Sequence, residues 1–166
     1  IIDIGTGSGC IGITLAKEIP SSNVIAIDYS EKALAVAEKN ARNIGVKNID
    51  FVKSDFLKQS IAFQAHLLVS NPPYISKEDI STLMADVKEY EPSLALTDNL
   101  DGLEFYRVFS KKFDTMIKID GALIVEVGKD EHPLEVKKIL EQSGHGNIEM
   151  INDYNGDIRV LKVMKC

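Results

Sequence analysis

The stretch with the clearest capacity for chemistry is Ser70-Asn71-Pro72-Pro73-Tyr74, which follows directly on the apolar run Leu67-Leu68-Val69. Consecutive prolines lack backbone donors and fix φ, and Pro72 also drives Asn71 out of the helical region. The strand predicted before them must stop, leaving Asn71 at its carboxyl end. In an open α/β sheet that is where ligands bind. There the Asn71 side-chain oxygen and a proline carbonyl make an acceptor pair for one planar NH2 group, while the Asn71 amide keeps donors for a second ligand. An ordinary Pro-Pro turn after a buried strand is the plainer reading of the same residues.

A second set lies at the front of the chain. The apolar run Ile1-Ile2-Asp3-Ile4 feeds Gly5-Thr6-Gly7-Ser8-Gly9-Cys10-Ile11-Gly12. Glycines at such a junction allow φ > 0 and close approach of a ligand, and the helix predicted to follow offers free N–H groups. Gly7 to Gly12 satisfies the dinucleotide fingerprint, with Asp28 near the distance expected for gripping a ribose hydroxyl, so a nicotinamide-dependent oxidoreductase is one reading. Asp3 argues against it. A carboxylate in the strand before the loop repels a pyrophosphate and attracts a cationic ligand, which favours S-adenosylmethionine, with its sulfonium, amino group and ribose and no phosphate. Asp55-Phe56 adds a carboxylate for the adenine amine and a ring or backbone N–H for the base. Taken singly, Asp28 reads equally as a solvated strand end and Asp55 as a turn former; together the three acids share one rim.

The elements that must position these residues follow from periodicity and punctuation. Strands are predicted at Ile1–Ile4, Asn23–Asp28, Ile49–Val52, Leu67–Ser70, Ala122–Val127, Ile148–Ile151 and Ile158–Val163. Helical spacing recurs at Ile11, Leu15 and Ile19 before Pro20, from an N-cap at Ser30 to Gly45, at Leu103 to Met116, and from Pro133 to Gly144. Alternating strands and helices closed by a hairpin predict a doubly wound α/β sheet, mostly parallel with an antiparallel C-terminal hairpin. Residues 75–101 show no clean period and predict a functional loop or lid, in which Glu91-Pro92 borders the pocket or is simply a solvated loop.

Composition narrows the partners. At 166 residues, with 45% hydrophobic and 27% charged residues and a net charge of −6, the chain fits one globular domain with a real core. With no basic block, nucleic acid is a poor candidate partner. Two cysteines, Cys10 and Cys166, argue against a disulfide framework and for a reducing compartment. No apolar run approaches the roughly 20 residues that span a bilayer, so a cytoplasmic protein is expected, with no membrane partner. His66, His132 and His145 are scattered and predict neither a metal site nor a triad. The abrupt start in a strand predicts a segment of a longer protein.

Asp3-Ile-Gly-Thr-Gly-Ser-Gly9, Asp28, Asp55 and Asn71-Pro-Pro-Tyr74-Ile75 together resemble the class I S-adenosylmethionine-dependent methyltransferases of planar nitrogens. The chain is most similar to the release factor glutamine methyltransferases of the HemK/PrmC type. The likeness extends through Tyr90–Leu96, Asp101–Arg107, Glu126–Gly128 and Asp153–Val160. The Asn-Pro-Pro-Tyr motif alone is shared with adenine amino-methyltransferases; the later blocks select the glutamine branch. The resemblance implies a Rossmann-like seven-stranded sheet whose last strand is antiparallel, with residues 1–166 as the catalytic domain and the family's helical N-terminal docking domain absent from this chain. It implies that Gly5, Thr6, Gly7, Ser8 and Gly9 wrap the methionine part of the cofactor together with Asp3, that Asp28 holds the ribose, and that Asp55 and Phe56 meet the adenine. Asn71 would touch cofactor and substrate, and Asn71, Pro72, Pro73 and Tyr74 would hold a glutamine amide, leaving S-adenosylhomocysteine and a methylated release factor. Two departures stand out: Glu131-His132 where the family usually has a glutamine, and Asn99 where a glycine is common.

The alternatives are an adenine exocyclic-amine methyltransferase acting on RNA or DNA, which needs a basic groove, and a non-catalytic cofactor-binding module. For the amide reading, catalysis is mostly placement. Acceptors at Asn71 and Pro72 would turn the amide out of conjugation and stabilise positive charge developing on nitrogen, and Tyr74 would cover the amide plane.

Overall fold

The computed structural model describes residues 1–82 and 93–166. Seven strands, β1 (Ile2–Ile4), β2 (Val24–Asp28), β3 (Ile49–Lys53), β4 (Ala65–Ser70), β5 (Ile117–Glu126), β6 (Ile148–Asn152) and β7 (Ile158–Met164), form one sheet in the order β3-β2-β1-β4-β5-β7-β6. Pairings from β3 through β5 are parallel, whereas β7 lies antiparallel to both β5 and β6. The doubly wound sheet with an antiparallel C-terminal hairpin is therefore what forms. β1 and β4 are neighbours, although β2 follows β1 in the chain. That pair marks the switch point where strand order reverses and a crevice opens at the carboxyl ends.

Among the described residues the four longer helices are α1 (Cys10–Glu18), α2 (Glu31–Ile44), α3 (Glu104–Met116) and α4 (His132–Gln142). The start of α2 is fixed by Ser30, whose hydroxyl accepts from the Ala33 N–H at 3.3 Å, and its end by Gly45. α3 buries Tyr106, Phe109, Phe113 and Met116 against the sheet, the spacing read from the sequence. Burying side chains of this kind contributes about 1.5–3 kcal/mol each. The core runs continuously from Ile2, Ile4 and Ile27 through Leu68 and Leu123 to Leu161 and Val163.

Several strand boundaries differ from expectation, that of β5 by the most. β5 begins at Ile117 rather than Ala122, and its pairing with β4 shifts between Ala65 and Leu67. Asp120 takes φ 63 in this stretch, so the alternation that marks a strand breaks there. The irregular stretch after β4 contains a 3-10 turn at Asp79–Thr82, a one-turn helix at Ser93–Leu96 and a bridge between Ile75 and Thr97. Asn99 adopts φ 64, a conformation asparagine tolerates better than most residues, which accounts physically for its standing in a glycine position. Glu91 and its neighbours Tyr90 and Pro92 lie outside the described residues.

Candidate active site

A crevice of about 480 Å³ opens at the switch point, lined on one side by Gly5, Thr6, Gly7 and Ser8 and on the other by Asn71 to Ile75. The floor joins the two walls. Ser70, the last residue of β4, donates from its buried hydroxyl to the Ile4 carbonyl at 2.7 Å, so the ends of β1 and β4 are pinned where Gly5 and Asn71 begin.

The glycine wall is held by its own neighbourhood. Gly5 and Thr6 donate N–H bonds to the Ile27 carbonyl at 2.8 and 3.0 Å, and Asn40 of α2 donates to the Ser8 carbonyl at 2.9 Å. Gly7 sits at φ 57, and a side chain there would enter open space, so the backbone is free to approach a ligand. Asp28 accepts the Gly7 N–H at 2.9 Å on Oδ2 and the Ser30 N–H at 2.8 Å on Oδ1. Each oxygen keeps a lone pair, which is what a ligand diol needs.

Asp3 differs from the expectation that it faces a cationic ligand. Its side chain is only 1% exposed, behind the loop, where Oδ2 accepts from the Thr6 hydroxyl at 2.6 Å and from the Gly12 N–H at 2.9 Å. Burial pushes its carboxyl pKa up, opposed by these two hydrogen bonds and reinforced by the charge of Asp28. Asp3 thus braces the loop from beneath. Phe56 is also turned inward: its ring packs 4.6 Å from Phe109 and 6.1 Å from Phe105, and the residue is buried. Asp55 bonds the Leu57 N–H at 3.1 Å and pairs with Lys58 at 3.3 Å. Lys112 of α3 holds this turn by donating to the carbonyls of Phe56 and Gln59 at 2.5 and 2.7 Å.

On the opposite wall Asn71 is exposed, and its amide has no partner among the described residues, while Pro72 is buried and Pro73 and Tyr74 are half-buried. The free amide beside fixed proline carbonyls can take a planar NH2 group. Tyr74 is tied from behind: Arg159 Nη2 donates to its hydroxyl at 3.0 Å and to Glu126 Oε1 at 2.9 Å, and the Tyr74 hydroxyl donates to the same Oε1 at 3.3 Å. Partial burial opposes the Arg159 charge, but its contacts with Tyr74 and Glu126 outweigh this and hold its pKa above the ordinary value.

His132, which the sequence marks for neither a metal site nor a triad, is partly buried. At the start of α4 it packs edge-on against Tyr106 and Tyr74, with centroids 5.3 and 6.0 Å away. Its Nδ1 accepts the Gly128 N–H at 3.2 Å, so Nε2 carries the hydrogen and faces the Gly102 carbonyl at 3.3 Å. Burial pushes its pKa below the usual histidine value. Glu126, His132 and Arg159 were missed as site residues; for Glu126 and Arg159 the available signal was a charged group at the end of or inside an otherwise apolar strand. Among the described residues no group of His, Cys, Asp or Glu is arranged to hold a metal ion, and no helix is long and apolar enough to cross a membrane.

A seven-stranded doubly wound sheet with one reversed strand, and a glycine-walled crevice facing Asn-Pro-Pro-Tyr at the switch point, defines a Rossmann-like methyltransferase. Residues 1–89 match the methyltransferase small domain family, and the chain belongs to it. Over 167 residues it is 43% identical to the release factor glutamine methyltransferase of Fusobacterium nucleatum subsp. nucleatum, covering 100% of this chain and 47% of that protein. The protein of the same name from Bacillus subtilis is 38% identical over 163 residues, covering 97% of this chain and 56% of the relative. The chain therefore spans about half the length of these curated relatives. Among solved structures, the ribosomal protein L11 methylase of Lactobacillus delbrueckii subsp. bulgaricus superposes with a TM-score of 0.69 at 20% identity, covering 99% of this chain and 69% of that one. That likeness carries the fold.

Proposed function

We propose that this chain is the catalytic domain of a release factor glutamine methyltransferase, moving a methyl group from S-adenosylmethionine to the side-chain amide nitrogen of a glutamine in a peptide-chain release factor. The observation that carries the reading is the free Asn71 amide facing the glycine wall across one crevice. The likeness to relatives of that name along the whole chain supports it.

The residues present fit the cofactor. Asp28, braced by two backbone N–H groups, would take the ribose hydroxyls, and Gly5 to Gly9 would surround the methionine part, with Asp3 contributing field from beneath the loop rather than contact. Asp55 and the Phe56 backbone stand at the end of β3, in reach of a base. When bound, the sulfonium supplies an electrophilic methyl group and leaves as a neutral thioether. Everything else asked of the protein is placement and charge. The Asn71 side-chain oxygen and the Pro72 carbonyl accept the two N–H bonds of the acceptor amide, rotating its lone pair out of conjugation and stabilising positive charge on nitrogen until one of these protons is lost to solvent. Pro73 keeps that turn rigid, and Tyr74 covers the amide plane.

Incubating the full-length protein and labelled S-adenosylmethionine with a release factor, and separately with RNA, tests the reading. Label on a glutamine of the release factor is the expected result. Label on the RNA alone would replace it with the adenine-amine reading, which the net charge of −6 already disfavours.

A further inference from the structure

Tyr74 is the meeting point of chain segments that never touch the crevice. Gly102 lies against its backbone at φ 78, and a Cβ there would overlap the Tyr74 carbonyl oxygen. Glu126 comes from the end of β5 and Arg159 from β7, 85 positions along the chain from the tyrosine it bonds. The three side chains close a triangle of hydrogen bonds in which each has two partners. Each supporting residue is anchored in turn. The Glu126 carbonyl accepts from the Tyr106 hydroxyl at 2.7 Å, and the Arg159 carbonyl accepts the Val127 N–H at 2.9 Å.

From this arrangement we infer that Arg159, together with Glu126, is a positioning residue for the acceptor: the pair clamps the Tyr74 hydroxyl and so fixes the ring that walls the slot beside Asn71. The inference rests on the methyltransferase reading above. A tyrosine tethered only by its backbone retains two side-chain torsions, and a swinging ring cannot hold a flat amide at one angle. Arg159 suits the task because its Nη2 holds two hydrogens fixed in the guanidinium plane, one for each acceptor, whereas an ammonium on a flexible stem has no such fixed plane. With side-chain exposures of 20% for Arg159 and 33% for Glu126, the pair is withdrawn enough from water for its hydrogen bonds to be firmer than a surface ion pair. The guanidinium carbon also lies 5.4 Å from the Tyr74 ring centroid, adding a cation–π contact that favours the same ring position.

The test uses the full-length protein as wild type, Arg159→Met, Arg159→Lys, Tyr74→Phe and the Arg159→Met/Tyr74→Phe double variant. Three quantities are read: kcat and KM for the release factor, equilibrium binding of S-adenosylmethionine, and the fluorine NMR signal of Tyr74 in protein labelled with 3-fluorotyrosine, assigned by its loss in Tyr74→Phe. Arg159→Met is expected to lower kcat by about tenfold to a hundredfold while cofactor affinity stays within about twofold, because only the acceptor is misplaced. Arg159→Lys should fall between it and wild type, and it carries the same comparison if Arg159→Met folds poorly. The double variant should be no slower than the slower single, since both changes undo one clamp. The Tyr74 signal should shift in Arg159→Met.

A Tyr74 signal that stays at its wild-type position in Arg159→Met, or losses that multiply in full in the double variant, would overturn the inference. Wild-type protein that transfers no methyl group to the release factor would instead sink the proposed function, and the ring signal would still decide the clamp.

Discussion

The two walls of the crevice are built in opposite ways. The glycine wall is supported mostly from residues 3–40: Asp3, Thr6, Gly12, Ile27, Asp28 and Asn40 hold it, through contacts 3 to 32 residues apart. The Asn71–Tyr74 wall is shaped locally only by its prolines. Its tyrosine is held by Gly102, Glu126, His132 and Arg159, from four separate parts of the chain. A locally built wall tolerates change elsewhere in the protein, whereas a wall assembled from distant segments inherits every displacement of them. On the proposed function, the glycine wall should therefore fail through its own residues, and the Asn71–Tyr74 wall through residues that line no part of the crevice.

Asn71→Ala gives the largest expected effect: loss of nearly all turnover, about a hundredfold or more, with a folded protein, because an acceptor oxygen aimed at developing charge is removed. Steady-state kinetics beside a thermal melt checks it, and wild-type turnover would remove Asn71 from the mechanism. Asp28→Ala probes the other wall. It strands the Gly7 and Ser30 N–H groups as well as removing the ribose acceptor, so cofactor Kd should rise by about tenfold to a hundredfold, from the roughly 1–3 kcal/mol that unsatisfied groups cost. Calorimetric titration of S-adenosylmethionine measures this, and kcat at saturating cofactor should change far less.

Gly102→Ala breaks the comparison from a distance. Strain at φ 78 together with the overlap on Tyr74 should destabilise the fold by about 1–3 kcal/mol and lower turnover more than cofactor affinity. Equal losses in both would show that the walls are not independent.

The smallest effect is one of pH. His132 has its folded pKa depressed, chiefly by burial, so the unfolded chain binds the proton more readily than the folded one. The stability contributed by neutral His132 is present above the unfolded value near 6.5 and is lost as pH falls toward the depressed folded value. An imidazolium cannot accept the Gly128 N–H. Thermal melts between pH 7.5 and 5 should therefore fall more for wild type than for His132→Gln, by about 1 kcal/mol or less; parallel curves would remove His132 from the acid response.

The same contrast explains what was legible beforehand. The sheet was readable because parallel strands are apolar runs punctuated by glycine, proline and caps, as at Ser30 and Gly45. The place of Asp28 at the end of β2 and of the glycine loop after β1 followed from spacing, since local structure is what spacing encodes. The inward turn of Phe56 was not readable, because it is decided by Phe105 and Phe109 on a helix some fifty residues away. Asp3 looked like a ligand contact because sequence gives its strand and not its face; pairing with β2 and β4 encloses it. The link from Arg159 to Tyr74 has no spacing rule at all. It exists only because β7 pairs with β5, which in turn lies beside β4.

That strand order also sets a sequence of events on the ribosome. Domains emerge amino end first, so the glycine loop, Asp28 and the proline turn are all synthesised before β7 brings Arg159 to the tyrosine. A nascent chain thus carries the glycine wall and Asp28 well before Arg159 can reach Tyr74; on the proposed function, productive transfer would wait until the penultimate position of the sheet has been filled.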